Sequence, residues 1–453
     1  MGKKLPNYIS TTNACKLCRP LGACLAFRGV EGAVPFLHGS QGCATYMRRY
    51  IISHFNEPID IASSSLGEKN AIYGGGANLK QGLKNVTAKY GPRLIGIATT
   101  CLTETIGDDV ATILREYGRE FGPEGDLPLM VRVATPSYSG THMEGFHGAV
   151  RALVEQLAEG GESNGVVNLL PGFVSAADLR YLKEVLADFG LAATVLPDFS
   201  DTLDGPALAD YPLIPAGGTP VAGIRAMGKS RATIEFGRTL GEEEGGGSLL
   251  AERFGVPLSR LGLPIGLCES DAFFAKLSAL AGRPVPAPHA AARGRLLDSL
   301  VDSHKYVSGK KAVVYGEEDL VVGLTGFLAE IGVTPVLCAS GGKSGRLTEA
   351  IRAVLGELPV AMPMVREDVD FHDIEEAATA LRPDFLIGHS KGYAMARRAG
   401  IPLIRVGFPI HDRMGGQRIL HLGYHGAQQL FDLVVNTLIA KKQDDSPVGY
   451  SYM

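Results

Sequence analysis

Short apolar runs alternate with amphipathic stretches through most of this 453-residue chain, and no other feature restricts its fold as much. RLIGIATT (93–100), GVVNLLPG (165–172), KKAVVYG (310–316), TPVLCAS (334–340) and DFLIGHS (384–390) are short, almost wholly apolar runs. SAADLRYLKEVLADFG (175–190) and DLVVGLTGFLAEIG (319–332) instead repeat apolar residues at helical spacing. Strands that are apolar on both faces are covered on both sides, as in a parallel sheet with helical crossovers. The alternation predicts an α/β chain of three Rossmann-like, doubly wound parallel-sheet domains. Their expected bounds are 1–160, 161–288 and 289–453, with PVPAPHAA (284–291) as the clearest linker. In such sheets ligands collect at the carboxyl ends of strands. Cys43, Cys101, Ser137 and His389 all stand at predicted strand ends.

Several function classes are disfavoured at once. A net charge of -4 leaves no electrostatic footprint for nucleic acid. The longest apolar stretches are broken by Gly and Glu and are too short to span a bilayer. The start of the chain has two lysines but no apolar leader segment, and Pro6 stands where an acylation signal needs Ser or Thr. The expectation is a soluble cytoplasmic protein with no membrane contact. GEEEGGGS (241–248) reads as a mobile segment.

Four of the seven cysteines, Cys15, Cys18, Cys24 and Cys43, fall between residues 11 and 43, among five glycines. Cys101 closes the run LIGIATTC, while Cys268 and Cys338 lie in ordinary apolar contexts. Unevenly spaced cysteines in a cytoplasmic chain are metal ligands or buried thiols more often than disulfides. A structural zinc site wants a second compact pair beside Cys15 and Cys18, and none exists. Single thiolates at separate turns suit an iron–sulfur cluster between domains or subunits. Spacing alone leaves that reading and buried free thiols as open alternatives.

Other motifs carry less. Residues 223–230 fit the pattern GxxxxGK[ST], but PAGGTPVA before them makes a poor buried strand, so they read as the first turn of an ordinary helix. His38 and His142 read as structural histidines, Gly74 to Gly76 as a turn, and Glu104, Asp108 and Asp109 as charges at a helix start.

Seven segments resemble a known family. PLGA (20–23), HGSQGC (38–43), HFNEP (54–58), TTCLTETIGDD (99–109), TPSYSGTH (135–142), IPLIRVGFPIHDR (401–413) and LGYHGAQQL (422–430) look like the β-type subunit of nitrogenase component 1 and its relatives. The resemblance runs over nearly the whole chain in the family's order. It implies three Rossmann-like domains and an α2β2 heterotetramer with an α-type subunit. It also implies half of an eight-iron P-cluster at the α–β interface, with a 4Fe-4S cluster as the alternative. The ligands it implies are Cys18, Cys43 and Cys101, with Ser137 at the position of an extra ligand to the oxidised cluster. Cys15 and Cys24 have no counterpart, and Cys15 is a weak backup ligand. An ATP-dependent iron–sulfur reductase would deliver electrons, and the catalytic cofactor would sit in the α-type partner.

Three branches of the family compete. Conventional nitrogenase β subunits are expected to carry a long extension before the first cluster cysteine, whereas Cys18 comes almost at once here. Many scaffold subunits that mature the nitrogenase cofactor have lost cluster cysteines. Methylthio-alkane reductases, which cleave C–S bonds for sulfur salvage, need the electron relay. Retention of Cys18, Cys43, Cys101 and Ser137 together favours the reductase, with the scaffold as runner-up.

Overall fold

The structure, a computed structural model, describes residues 13–124 and 126–449. The absence of a leader segment or acylation signal was read from residues 1–12, which lie outside the described residues. Among the described residues thirteen strands form three sheets, and every pairing within them is parallel.

The first sheet holds β1 (Ala33–His38), β2 (Ala62–Ser63), β3 (Leu94–Thr99) and β4 (Leu129–Val133), in the order β2-β1-β3-β4. The second holds β5 (Val167–Leu170), β6 (Ala193–Val195), β7 (Ala232–Phe236) and β8 (Leu258–Leu261), in the order β6-β5-β7-β8. The third holds β9 (Lys311–Tyr315), β10 (Thr334–Ala339), β11 (Met364–Arg366), β12 (Phe385–Gly388) and β13 (Leu403–Arg405), in the order β11-β10-β9-β12-β13. β1, β3 and β5 are buried at every residue, as their unbroken apolar sequence requires. Among the described residues no helix is long and apolar enough to cross a membrane.

β7 and β8 are not evident in the sequence. Glu235 interrupts the apolar run of β7, and Arg260 interrupts β8. The two residues are register partners on adjacent strands, and Arg260 Nε lies 3.0 Å from a Glu235 carboxylate oxygen. The pair hides both strands from a hydrophobicity reading. Glu235 also corrects the reading of residues 241–248. Gly247 N–H donates to it at 3.0 Å, and a helix starts at Gly246. Gly246 and Gly247 thus belong to a helix start that closes on a buried carboxylate, while residues 242–244 form an exposed turn. The proposed linker 284–291 likewise already contains the start of a helix, Ala287–Val307, which packs against the last helix, Gly423–Asp444.

One contact sets the geometry of the N-terminal part. The helix Arg19–Arg28 is buried along almost its whole length and has no polar face. It crosses the helix His142–Leu157 backbone to backbone. A Cβ on Gly22 would stand 2.7 Å from Phe146 N and overlap the His142 carbonyl, and a Cβ on Gly145 would stand 2.8 Å from the Arg19 carbonyl carbon. Only glycine fits at either position.

Gly22→Ala and Gly145→Ala should each lower stability by about 1–3 kcal/mol, because a packed backbone contact cannot take a methyl without moving. Gly118 is a contrasting control. It is exposed inside the helix Val110–Phe121, with open space around it. Gly118→Ala should raise stability by about 0.5–1 kcal/mol. Thermal unfolding followed by circular dichroism separates the two; equal effects at Gly22 and Gly118 would contradict the packing account.

Candidate functional site

Each thiol that the resemblance singles out is placed by the start of a helix. Cys18 is the N-cap of Arg19–Arg28, with extended backbone at φ -63° and ψ 143°, and Pro20 presets the first turn. Cys43 lies in the first turn of the helix Gln41–Phe55, which follows β1 after only Gly39 and Ser40. Cys101 opens the helix Cys101–Ile106 at the carboxyl end of β3. Helix starts leave backbone N–H groups free and favour negative charge. All three cysteines are free thiols of intermediate exposure.

Ser137 joins them. Its backbone N–H donates to Cys101 Sγ at 3.2 Å, and its hydroxyl accepts from Arg19 N–H at 3.2 Å. Ser40 Oγ donates to Cys43 Sγ at 3.5 Å. Burial pushes the Cys18 thiol above its ordinary range. A hydrogen bond to Ser137 opposes that shift, and the nearby Cys101 and Cys43 add to it. Cys18, Cys43, Cys101 and Ser137 therefore share one electrostatic neighbourhood although they come from four segments.

The set fits a polynuclear iron–sulfur group better than a single ion. Among the described residues no three His, Cys, Asp or Glu side chains converge tightly enough to hold one metal ion. Three soft thiol donors, spread around a half-open face, match a larger sulfide-bridged group. The rim of that face is apolar. Tyr138 is 68% exposed beside Ser137, and Tyr73 is 85% exposed on the helix Asn70–Tyr73, which packs against Cys101–Ile106.

His389 does not join the group, although it follows β12 as expected. Its Nε2 lies 3.8 Å from Cys15 Sγ, inside a separate apolar cluster with Tyr315 and Phe371. Burial pushes the Cys15 thiol up to about 12. Cys24 and Cys338 are fully buried, and burial raises both thiols well above the ordinary range. Cys268 is exposed on another helix.

The histidines and carboxylates are structural where they were read so. His38 bonds Ser64 Oγ at 2.9 Å and Asp108 at 3.0 Å through its two ring nitrogens. Asp108 also accepts Gly75 N–H, which explains the glycine turn. Asp109 caps Val110–Phe121, and Glu104 accepts from Thr99 Oγ1. Residues 223–230 form a short helix ahead of β7, whereas a phosphate loop needs a strand before its helix.

One feature was not evident in the sequence. A cavity of about 500 Å³ opens where loops after β4, β7, β9 and β10 meet, at the carboxyl ends of strands from all three sheets. His142, Glu317, Glu318, Arg19 and Arg151 line it. The acidic triplet Glu317-Glu318-Asp319, directly after the strand KKAVVYG, was the available signal. His142 Nε2 lies 3.0 Å from Glu317 Oε1, and Leu17 N–H donates to its other nitrogen.

Comparison with known proteins finds relatives along nearly the whole chain. The family described as nitrogenase component 1 type oxidoreductase matches residues 18–439. The nitrogenase molybdenum-iron protein beta chain of Clostridium pasteurianum is 35% identical over 433 residues, covering 95% of this chain and 93% of that one. The nitrogenase vanadium-iron protein beta chain of Trichormus variabilis is 36% identical over 437 residues, covering 93% of each. A solved structure of nitrogenase Cp1 at pH 6.5 superposes with a TM-score of 0.94 at 33% identity, covering 100% of this chain and 98% of that one. Since the Clostridium chain is spanned nearly end to end, the expected long extension does not separate this chain from molybdenum-iron beta chains.

Glu318 offers a pH test of the cavity. Burial, then Glu367 and Glu144, push its carboxyl up to about 7 against hydrogen bonds from Ser344. A carboxyl raised from 4.5 binds more protons folded than unfolded. Stability therefore falls as pH rises from about 4.5 to about 7, then stays level. The loss should reach at most about 3 kcal/mol. Glu318→Gln should flatten the fall in melting temperature between pH 5 and pH 8. An equal fall in both proteins would refute the assignment.

Proposed function

This chain belongs to the nitrogenase component 1 type oxidoreductases, and from that premise we propose that it is the β-type subunit of an α2β2 reductase that relays electrons through an iron–sulfur cluster. The convergence of Cys18, Cys43 and Cys101 on Ser137 carries the proposal. These three cysteines would hold this chain's half of an eight-iron P-cluster, or of a 4Fe-4S cluster, and the Ser137 hydroxyl would serve as an added oxygen ligand. Such a cluster supplies one-electron transfer at a potential tuned by burial and hydrogen bonds. The chain's own residues supply that tuning. Ser137 and Ser40 donate toward the sulfurs, and the half-buried thiols lose water once a partner covers them. The apolar rim at Tyr73 and Tyr138 suits that partner, an α-type subunit. An ATP-dependent iron–sulfur reductase would deliver the electrons, and the substrate would react on a cofactor in the α-type subunit, in the cytoplasm.

For substrate we propose methylthio-alkanes. Two electrons and two protons convert dimethyl sulfide to methanethiol and methane. Keeping all three cysteines and Ser137 supports an electron-passing enzyme over a maturation scaffold. Dinitrogen reduction is the second reading, favoured by similarity to molybdenum-iron and vanadium-iron beta chains.

The complex, purified with its α-type partner and reductase, should release methanethiol from dimethyl sulfide when ATP is supplied. Ammonia from dinitrogen without thiol would establish the second reading. Transfer of a mature cofactor to apo-nitrogenase, with no reduction of either substrate, would establish the scaffold.

The cluster itself has a separate test. Cys43→Ala should remove most of the iron and colour and weaken subunit pairing, while Cys268→Ala should change neither. An iron-free, colourless wild-type complex would sink the relay.

A further inference from the structure

We propose that the cavity at the meeting of the three sheets binds a small organic acid, its carboxylate gripped by Arg19 and Arg151. The cavity adjoins the Cys18 segment through Arg19, and Cys15 is in its wall, but the proposal does not rest on the cluster. About 500 Å³ is the size of a metabolite pocket, larger than a single inorganic ion needs. Its position at the carboxyl ends of strands is where α/β sheets receive ligands.

The ligand class follows from charge accounting. Most acidic groups of the lining already have chain donors. Glu317 pairs with His142, Glu318 accepts Ser344 N–H, and Asp319 accepts the N–H groups of Arg238 and Thr239. Glu144 accepts the N–H and hydroxyl of Thr141, and Glu244 accepts Gly241 N–H. Glu243 is exposed to water. Among the cations, Lys16 and Lys343 pair with Asp368, and Arg346 pairs with Glu244.

Arg19 and Arg151 are left over. Arg19 Nη1 donates to Ser139 Oγ at 2.7 Å, and its Nε is buried with no partner. Arg151 Nη1 donates to the Gly245 carbonyl at 3.2 Å. Among the described residues neither has a carboxylate within ion-pair distance. Both are half-buried. A guanidinium has five N–H donors, and a half-buried one without a counter-charge is costly. A carboxylate can take two of those donors side by side.

Calorimetry on the intact αβ complex at fixed ionic strength tests this, with L-malate and glutarate as probes and inorganic phosphate as a separate arm. At least one dicarboxylate should bind and raise the melting temperature. Arg151→Gln and Arg19→Gln should each weaken that binding about tenfold or more, with Arg132→Gln, outside the cavity, unchanged. Iron content is measured alongside, so that loss of the relay and loss of the acid site are told apart. Arg151→Lys covers the case in which the Gln variant fails to fold: it keeps the charge and should still bind less tightly, because the bidentate fork is gone. No binding by either dicarboxylate, equal binding by the Arg151 variants, or binding of phosphate alone would overturn the proposal.

Discussion

Everything near the thiols depends on two helices that touch without side chains between them. Gly22 and Gly145 let Arg19–Arg28 and His142–Leu157 meet at backbone distance. The crossing fixes the start of one helix against the segment that precedes the other. Cys18 is at that start, and Ser137 is in that segment. The Arg19 N–H to Ser137 Oγ bond and the Leu17 N–H to His142 bond stitch the same seam. A larger residue at the crossing would separate Cys18 from Cys101 before it altered either locally. PLGA is thus a packing motif whose consequence is chemical.

The two sides of this seam are built to opposite electrostatic rules. On the cavity side, burial alone would raise the Glu317 carboxyl, but the His142 hydrogen bond and charge, His389 and a backbone N–H together outweigh it and hold the group below its ordinary range. Breaking such a buried pair strands a charge and costs more than the pair itself contributes. Charge is therefore settled within the chain there, apart from Arg19 and Arg151. On the thiol side the chain supplies less: Cys18 has Ser137 as a hydrogen-bond partner, Lys391 nearby, and other sulfurs for neighbours.

The alternation of apolar runs and helical stretches made the three parallel sheets legible, because a strand covered on both faces has no polar residues to disguise it. β7 and β8 were hidden by the one device that defeats this signal, a buried ion pair between adjacent strands. The glycine run at 245–247 was misread for the same reason, since its partner is Glu235. The placement of Cys18, Cys43, Cys101 and Ser137 could be anticipated from motifs. Cys15, three residues from Cys18, has no counterpart in those motifs, but they do not say why it stands apart. The separation follows from the Cys18 N-cap, where extended backbone turns into helix and Cys15 turns away toward His389. The cavity was equally hidden, because its walls come from loops of three sheets and no single segment describes it.

Burial raises the Cys18 thiol, so the chain alone favours its neutral form. A neutral thiol tolerates partial burial, whereas a thiolate beside Cys43 and Cys101 would meet both desolvation and repulsion. If Cys18 holds the cluster proposed above, its thiol would give up a proton on loading, so loading should strengthen as pH rises. Lys391 eases the step. Its half-buried ammonium donates to the Ala14 carbonyl at 2.8 Å, holds the segment leading to Cys18, and would lower the cost of the thiolate. The backbone of the site is thus fixed in advance by glycine packing and helix starts, and the charge is left to be supplied by what binds. That division would let the chain close around the proposed cluster with little rearrangement.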